Sequence, residues 1–130
     1  MNILIDETNP RQCSLQLAYG EATLLLEVCQ QEAADVAEYL PPGFNLRLAD
    51  CAPVLLRALF DEQSWGAEAE KNFPFGLFHL PLLAQGCEMH ASRLYGDAHA
   101  TERLWLRRAS GSLLRAFWYA WERLQEANNG

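Results

Sequence analysis

The side chains of this chain best suited to chemistry are three histidines and four cysteines: His79, His90, His99, Cys13, Cys29, Cys51 and Cys87. Structural zinc is held by four N or S ligands, usually with a close C-x2-C or H-x3-H pair. The segment Cys87-Glu88-Met89-His90 supplies one C-x2-H pair and nothing matches it elsewhere. If these residues lie on a strand, positions 87 and 90 face opposite sides and do not share an ion. No metal and no other cofactor is expected. A thiolate with a histidine base and a third orienting group makes a nucleophilic site. Cys87, His90 and His99, oriented by Asp97 or Glu88, are the residues for that alternative, a small enzyme.

Paired carboxylates, Asp61/Glu62 and Glu68/Glu70, sit in polar surroundings that read as a solvated face. The chain contains no G-x-S-x-G, H-E-x-x-H, G-x-G-x-x-G or Walker-type loop. With no catalytic signature and no catalytic residue assigned, the sequence points to a binding module.

The surfaces that could bind are aromatic and basic. Phe73-Pro74-Phe75-Gly76-Leu77-Phe78-His79-Leu80-Pro81 crowds apolar residues between prolines. Exposed, such a stretch is a partner site; buried, it is the edge of the core. Tyr119 lies off the apolar stripe of its helix and is a contact candidate, whereas Trp118 and Trp121 share a face with Leu114 and read as core. Arg103, Arg107, Arg108, Arg115 and Arg123 form the one basic cluster. The expected partner-binding residues are therefore Phe73, Phe75, Leu77, Phe78, Tyr119, Arg103, Arg107 and Arg115.

Bulk properties narrow the class. At 130 residues, half of them apolar, the chain suits one domain of 1–130 with its own core. The net charge is −7. Residues 1–65 carry ten acids against Arg11, Arg47 and Arg57, and the second half balances to zero. Such a chain repels phosphate backbones and anionic membrane surfaces, so neither nucleic acid nor membrane is an expected partner. The longest apolar run, residues 73–84, is too short to span a bilayer. An acidic start with no basic leader, and cysteines without close spacing, predict a cytoplasmic protein with reduced thiols. Nine arginines to one lysine, with abundant Leu and Ala, suggest a GC-rich bacterial genome.

The elements that position these residues are read from hydrophobic period. Residues 2–6 read as an opening strand. Residues 13–19 alternate and, across a turn at Gly20-Glu21, pair with 22–30 as a hairpin. Residues 31–40 read as a helix stopped by Pro41-Pro42-Gly43, and 44–48 as a strand. A helix capped by Asp50, with Pro53 in its first turn, runs to about Glu62 and, kinked near Gly66, on toward Asn72. Residues 73–76 read as a loop and 77–83 as an edge strand broken by Pro81. A second hairpin joins 86–95 to 98–108, with a helix from Thr101 as the competing reading. A long amphipathic C-terminal helix, capped by Ser110 or Ser112, carries Leu113, Leu114, Phe117, Trp118, Trp121 and Leu124 on one stripe.

The sum is an α+β fold, two antiparallel hairpins forming a small sheet packed by about three helices. Its expected role is a small acidic chaperone, immunity or inhibitor protein, or adaptor that binds another protein. A structural subunit is the further alternative. A homodimer is expected, the acidic half meeting the arginine-bearing helix around the 73–83 segment.

Overall fold

A computed structural model describes residues 1–33, 46–60 and 69–129. Three antiparallel strands form a sheet in the order β1 (Asn2–Ile5), β2 (Gln12–Ala18), β3 (Glu70–Gly76). Four α-helices complete the described residues: α1 (Tyr19–Gln31), α2 (Ala52–Phe60), α3 (His79–Arg93) and α4 (Ala100–Asn129). Short 3-10 turns precede α2 (Leu48–Cys51) and α4 (Asp97–His99). The class is α+β, as the hydrophobic patterning indicated.

β2 is the central strand because its alternation is the cleanest. Cys13, Leu15 and Leu17 point into the core, and across the ladder Phe75 pairs with Cys13 and Phe73 with Leu15. Among the described residues β3 sits at an edge, where Pro74, opposite Ser14, can lack its amide hydrogen without breaking an inner ladder. The 73–76 stretch is therefore strand rather than loop: alternation at Phe73 and Phe75 outweighs the two breakers.

The hairpin expected over 13–30 does not form. Its second arm is α1, because Ala22, Leu25, Val28 and Cys29 recur with a helical period and all are buried. Glu21 starts the helix, its Oε1 accepting the Ala18 N–H at 2.9 Å. Its other oxygen accepts from the Met1 ammonium and from Trp105 Nε1, both at 2.8 Å. One carboxylate thus ties the chain's start and α4 to α1. Burial works to raise its pKa, but the hydrogen bonds from the amino terminus, Ala18 and Trp105 prevail and hold it below the usual value.

The second expected hairpin is also helical. Residues 86–93 belong to α3 and 100–108 to α4, so the helix from Thr101 was the correct alternative. Pro81 falls in the first turn of α3, where an amide has no intrahelical partner to lose. Gly86 is there because space is short: a Cβ would lie 2.6 Å from Leu48 Cδ2 and 2.9 Å from Val28 Cγ1. Gly96, at φ 83°, turns the chain between α3 and α4 in the left-handed region that favours glycine.

The helix with Pro53 in its first turn is α2, ending at Phe60; Asp50 accepts the Arg47 N–H at 2.9 Å in the preceding 3-10 turn. Leu48 opens that turn rather than ending a strand. The helix expected over 31–40 and the strand start at 44–45 lie outside the described residues, as do 61–68 of the proposed helical continuation. α4 is 30 residues long, about 45 Å. It starts ten residues before Ser110, which is buried rather than capping. No described helix is long and apolar enough to cross a membrane.

Candidate functional site

The groove begins where β3 hands the chain to α3. Leu77 N–H donates to the Arg11 carbonyl at 2.9 Å, fixing this corner against the segment entering β2. Gly76 N–H donates to His79 Nδ1, also at 2.9 Å. The neutral ring then carries its proton on Nε2. Burial pushes the His79 pKa below the usual histidine value, with Asp50 opposing the shift. The His79 ring meets Phe75 edge-on at 5.8 Å.

The opposite wall comes from the last turns of α4. Trp121 stacks on Phe117 at 6.2 Å and meets Phe78 edge-on at 6.0 Å. Phe117 is buried, while Phe78 and Trp121 are only half-buried. Leu46 and Leu124 extend the apolar lining. Arg11, His79, Gln125 and Asn128 supply its polar atoms, and no carboxylate among the described residues lines it. The groove holds about 550 Å³, within the range of roughly 300–1,000 Å³ typical of ligand sites. A smaller cleft between α3 and α4 is lined by Pro81, Gln85, Met89 and Leu114. Such walls can bury an apolar segment and orient it by a few polar contacts.

The residues expected to bind a partner fall into different places. Phe73, Phe75 and Leu77 are core, each no more than 3% exposed. They are closed to a partner as folded, so the expected dimer loses its apolar centre. Of these aromatic-stretch residues, Leu77 and Phe78 both line the groove, but only Phe78 is more than marginally exposed there. Tyr119 is exposed, its hydroxyl donating to Glu7 at 3.0 Å, and that contact raises its pKa. Arg103 donates to the Leu94 and Gly96 carbonyls, closing the α3–α4 corner. Arg107 pairs with Glu88 at 3.0 Å, and Arg115 donates to Ser112 Oγ at 3.2 Å on the outer face of α4. Trp118 is half-exposed rather than core, because the inner stripe of α4 runs through Leu106, Leu113, Phe117 and Ala120.

The residues of the enzymatic alternative are not arranged for nucleophilic chemistry. Cys87 is fully buried, and burial pushes its thiol pKa far up. Cys13 is pushed up to about 12 by the same cause. All four cysteines are free and buried. His99 lies exposed on the 3-10 turn before α4, 3.6 Å from Glu102. His90 is buried, its Nδ1 2.9 Å from Glu32 Oε2 and its Nε2 3.6 Å from Glu27. Glu32 is buried at the end of α1, with Arg93 Nε 2.9 Å from its other oxygen. Glu32 thus joins the end of α1 to buried His90 and to the largely exposed Arg93 of α3. Among the described residues no group of three His, Cys, Asp or Glu has metal-binding geometry.

Sequence reasoning missed Arg11, Leu46, Leu124, Gln125 and Asn128 of the groove, and missed Glu32. Only Gly76, Leu77, Phe78 and His79, inside the aromatic stretch, carried a signal. The others are ordinary in type and meet only when α4 returns to the sheet corner. No protein-family model, no curated protein and no solved structure matches this chain.

Proposed function

We propose that the protein is a non-catalytic binding module that holds a segment of another protein in the groove between the β3–α3 corner and the end of α4. The observation that carries this reading is the half-buried aromatic wall, Phe78 and Trp121, facing an apolar cleft of about 550 Å³. Large aromatics left partly open beside a cleft are the anchors that dominate protein interfaces. An apolar segment laid along the wall exchanges hydrated surface for contact, at roughly 25 cal/mol per Å². The chaperone, inhibitor and adaptor roles all use such a site.

The test is a photo-crosslinking side chain at Gln125 on the groove rim, with Asn72 on the sheet as control. The expected result is one protein adduct from position 125 that position 72 does not give and that Trp121→Asp removes. Equal adducts from both positions, or none from 125, overturn the reading.

A second copy of the chain is the second reading, and the outer face of α4 favours it. Leu104, Trp118 and Tyr119 are about half exposed there. Exposed Arg108 and Glu122 have no ion-pair partner among the described residues. In an antiparallel α4 pair centred on residue 113, Arg108 falls opposite the second copy's Trp118 and one turn from its Glu122. Sedimentation at micromolar concentration tests it. Arg108→Glu and Glu122→Arg each abolish the dimer and together restore it; a monomer throughout removes the reading.

A further inference from the structure

The charged side chain that lines the groove carries a sign opposite to that of the chain. Among the described residues the groove's only charged lining residue is Arg11, in a chain of net charge −7. The backbone of Arg11 is used, its N–H donating to Asn9 Oδ1 and its carbonyl accepting from Leu77. Its guanidinium makes no hydrogen bond or ion pair among the described residues. His79 stands across the same corner. Its Nδ1 is occupied by the Gly76 N–H, which leaves Nε2–H as a donor. Asp50 acts on His79 from nearby, but its carboxylate accepts the Arg47 N–H and does not line the groove. Among the described residues, two side-chain donors without an acceptor thus line one apolar trough.

We infer that the groove's occupant is a short apolar segment of a partner protein bearing one acidic side chain, whose carboxylate is received by Arg11 and His79. This rests on the groove reading above and specifies its partner. A guanidinium binds a carboxylate through charge-assisted, often bidentate, hydrogen bonds, strongest where the apolar walls exclude water. The aromatic wall then takes the neighbouring apolar side chains. The rest of the molecule works the other way: an excess of acids attracts basic peptides at long range. A preference for acidic peptides is therefore a signature of this site and not of the chain's overall charge.

The experiment selects random dodecapeptides displayed on phage against the full chain, with Gln125→Trp, which fills the groove from its rim, as counter-selection. Peptides that bind the wild type and not Gln125→Trp are expected to carry Asp or Glu beside large apolar residues. Replacing that acid by its amide is expected to weaken binding about tenfold on the wild type. On Arg11→Gln the same replacement is expected to have almost no effect. Groove-dependent peptides that are basic or indifferent to charge would leave the groove reading standing and overturn this inference. An acid preference that survives Arg11→Gln overturns it as well. The absence of any peptide that Gln125→Trp excludes overturns both. Arg11-dependent binding of decanoate with no groove-dependent peptide replaces the peptide by a fatty acid and also overturns the inference.

Discussion

α3 and α4 lie side by side and differ in every respect that matters for function. α3 is buried on nearly all sides, Leu80 through Ala84, Gly86, Cys87, His90 and Ala91 all being inaccessible. α4 buries one stripe and leaves Leu104, Trp118 and Tyr119 about half exposed. A helix covered all round has its side chains fully used by the fold. A helix covered on one stripe has a face left over, and the aromatic wall of the groove comes from its edge. The open surface therefore lies on α4 and the corner it meets, whereas Cys87 and His90 of α3 are closed off.

The comparison predicts a steep gradient across α4. Phe117→Ala, on the inner stripe, is expected to lose about 3–5 kcal/mol in denaturant unfolding, as large buried aromatics do. A loss below about 1 kcal/mol would mean that the stripe is misplaced. Glu32→Ala breaks the buried link through which α3 holds α1, leaving His90 without its 2.9 Å partner. Its expected loss is about 3 kcal/mol, the low end for buried pairs, because Arg93 is largely exposed and can turn to solvent. Stability unchanged in that variant would show that the cluster does not hold the helices together.

Gly86→Val tests how tightly α3 is enclosed. The added carbons meet Leu48 and Val28, and overpacking of this kind is expected to lose about 1–3 kcal/mol. Acid sharpens the comparison from the α4 side. The folded Glu21 carboxyl is held below its ordinary value of 4.5. Its contribution is complete above that value and is lost as pH falls through the lowered folded value. The stability gap between wild type and Glu21→Gln, measured by denaturation across pH, is expected to shrink over that window. A constant gap would mean that the Trp105 and amino-terminal contacts do not depend on the charge. The smallest effect belongs to the outer face: Trp118→Ala is expected to change stability by less than about 1 kcal/mol, as for surface positions. A larger loss would erase the contrast between the two faces of α4.

The pattern of success in reading the elements follows the same contrast. β2 alternates over seven residues, and the end of α4 repeats at helical spacing over many turns, so one period fits and the other does not. α1 and α3 carry patterns that do not separate the two periods. A run such as Leu24-Leu25-Leu26 satisfies both periods, and the glycine and proline in α3 mimic a turn and a strand edge. The groove was legible only in the stretch Gly76 to His79, because Arg11, Leu46 and Leu124 are far from it and from one another in the chain.

The sequence by itself determined the α+β class, the strands read at 2–6 and 13–19 and found at 2–5 and 12–18, the helix that begins beside Pro53 and the apolar stripe that ends α4. These depend on local period and on fixed backbone preferences, which act within a few residues. Tertiary structure alone decided that 19–31 and 79–93 are helices, that Phe73, Phe75 and Leu77 are core while Phe78 is not, and that Arg11 meets Trp121 across one groove. The reason is physical: an apolar segment takes the conformation that buries it best. The neighbours that bury it, Leu48 and Val28 against Gly86 or Phe117 against Phe78, come from elsewhere in the chain.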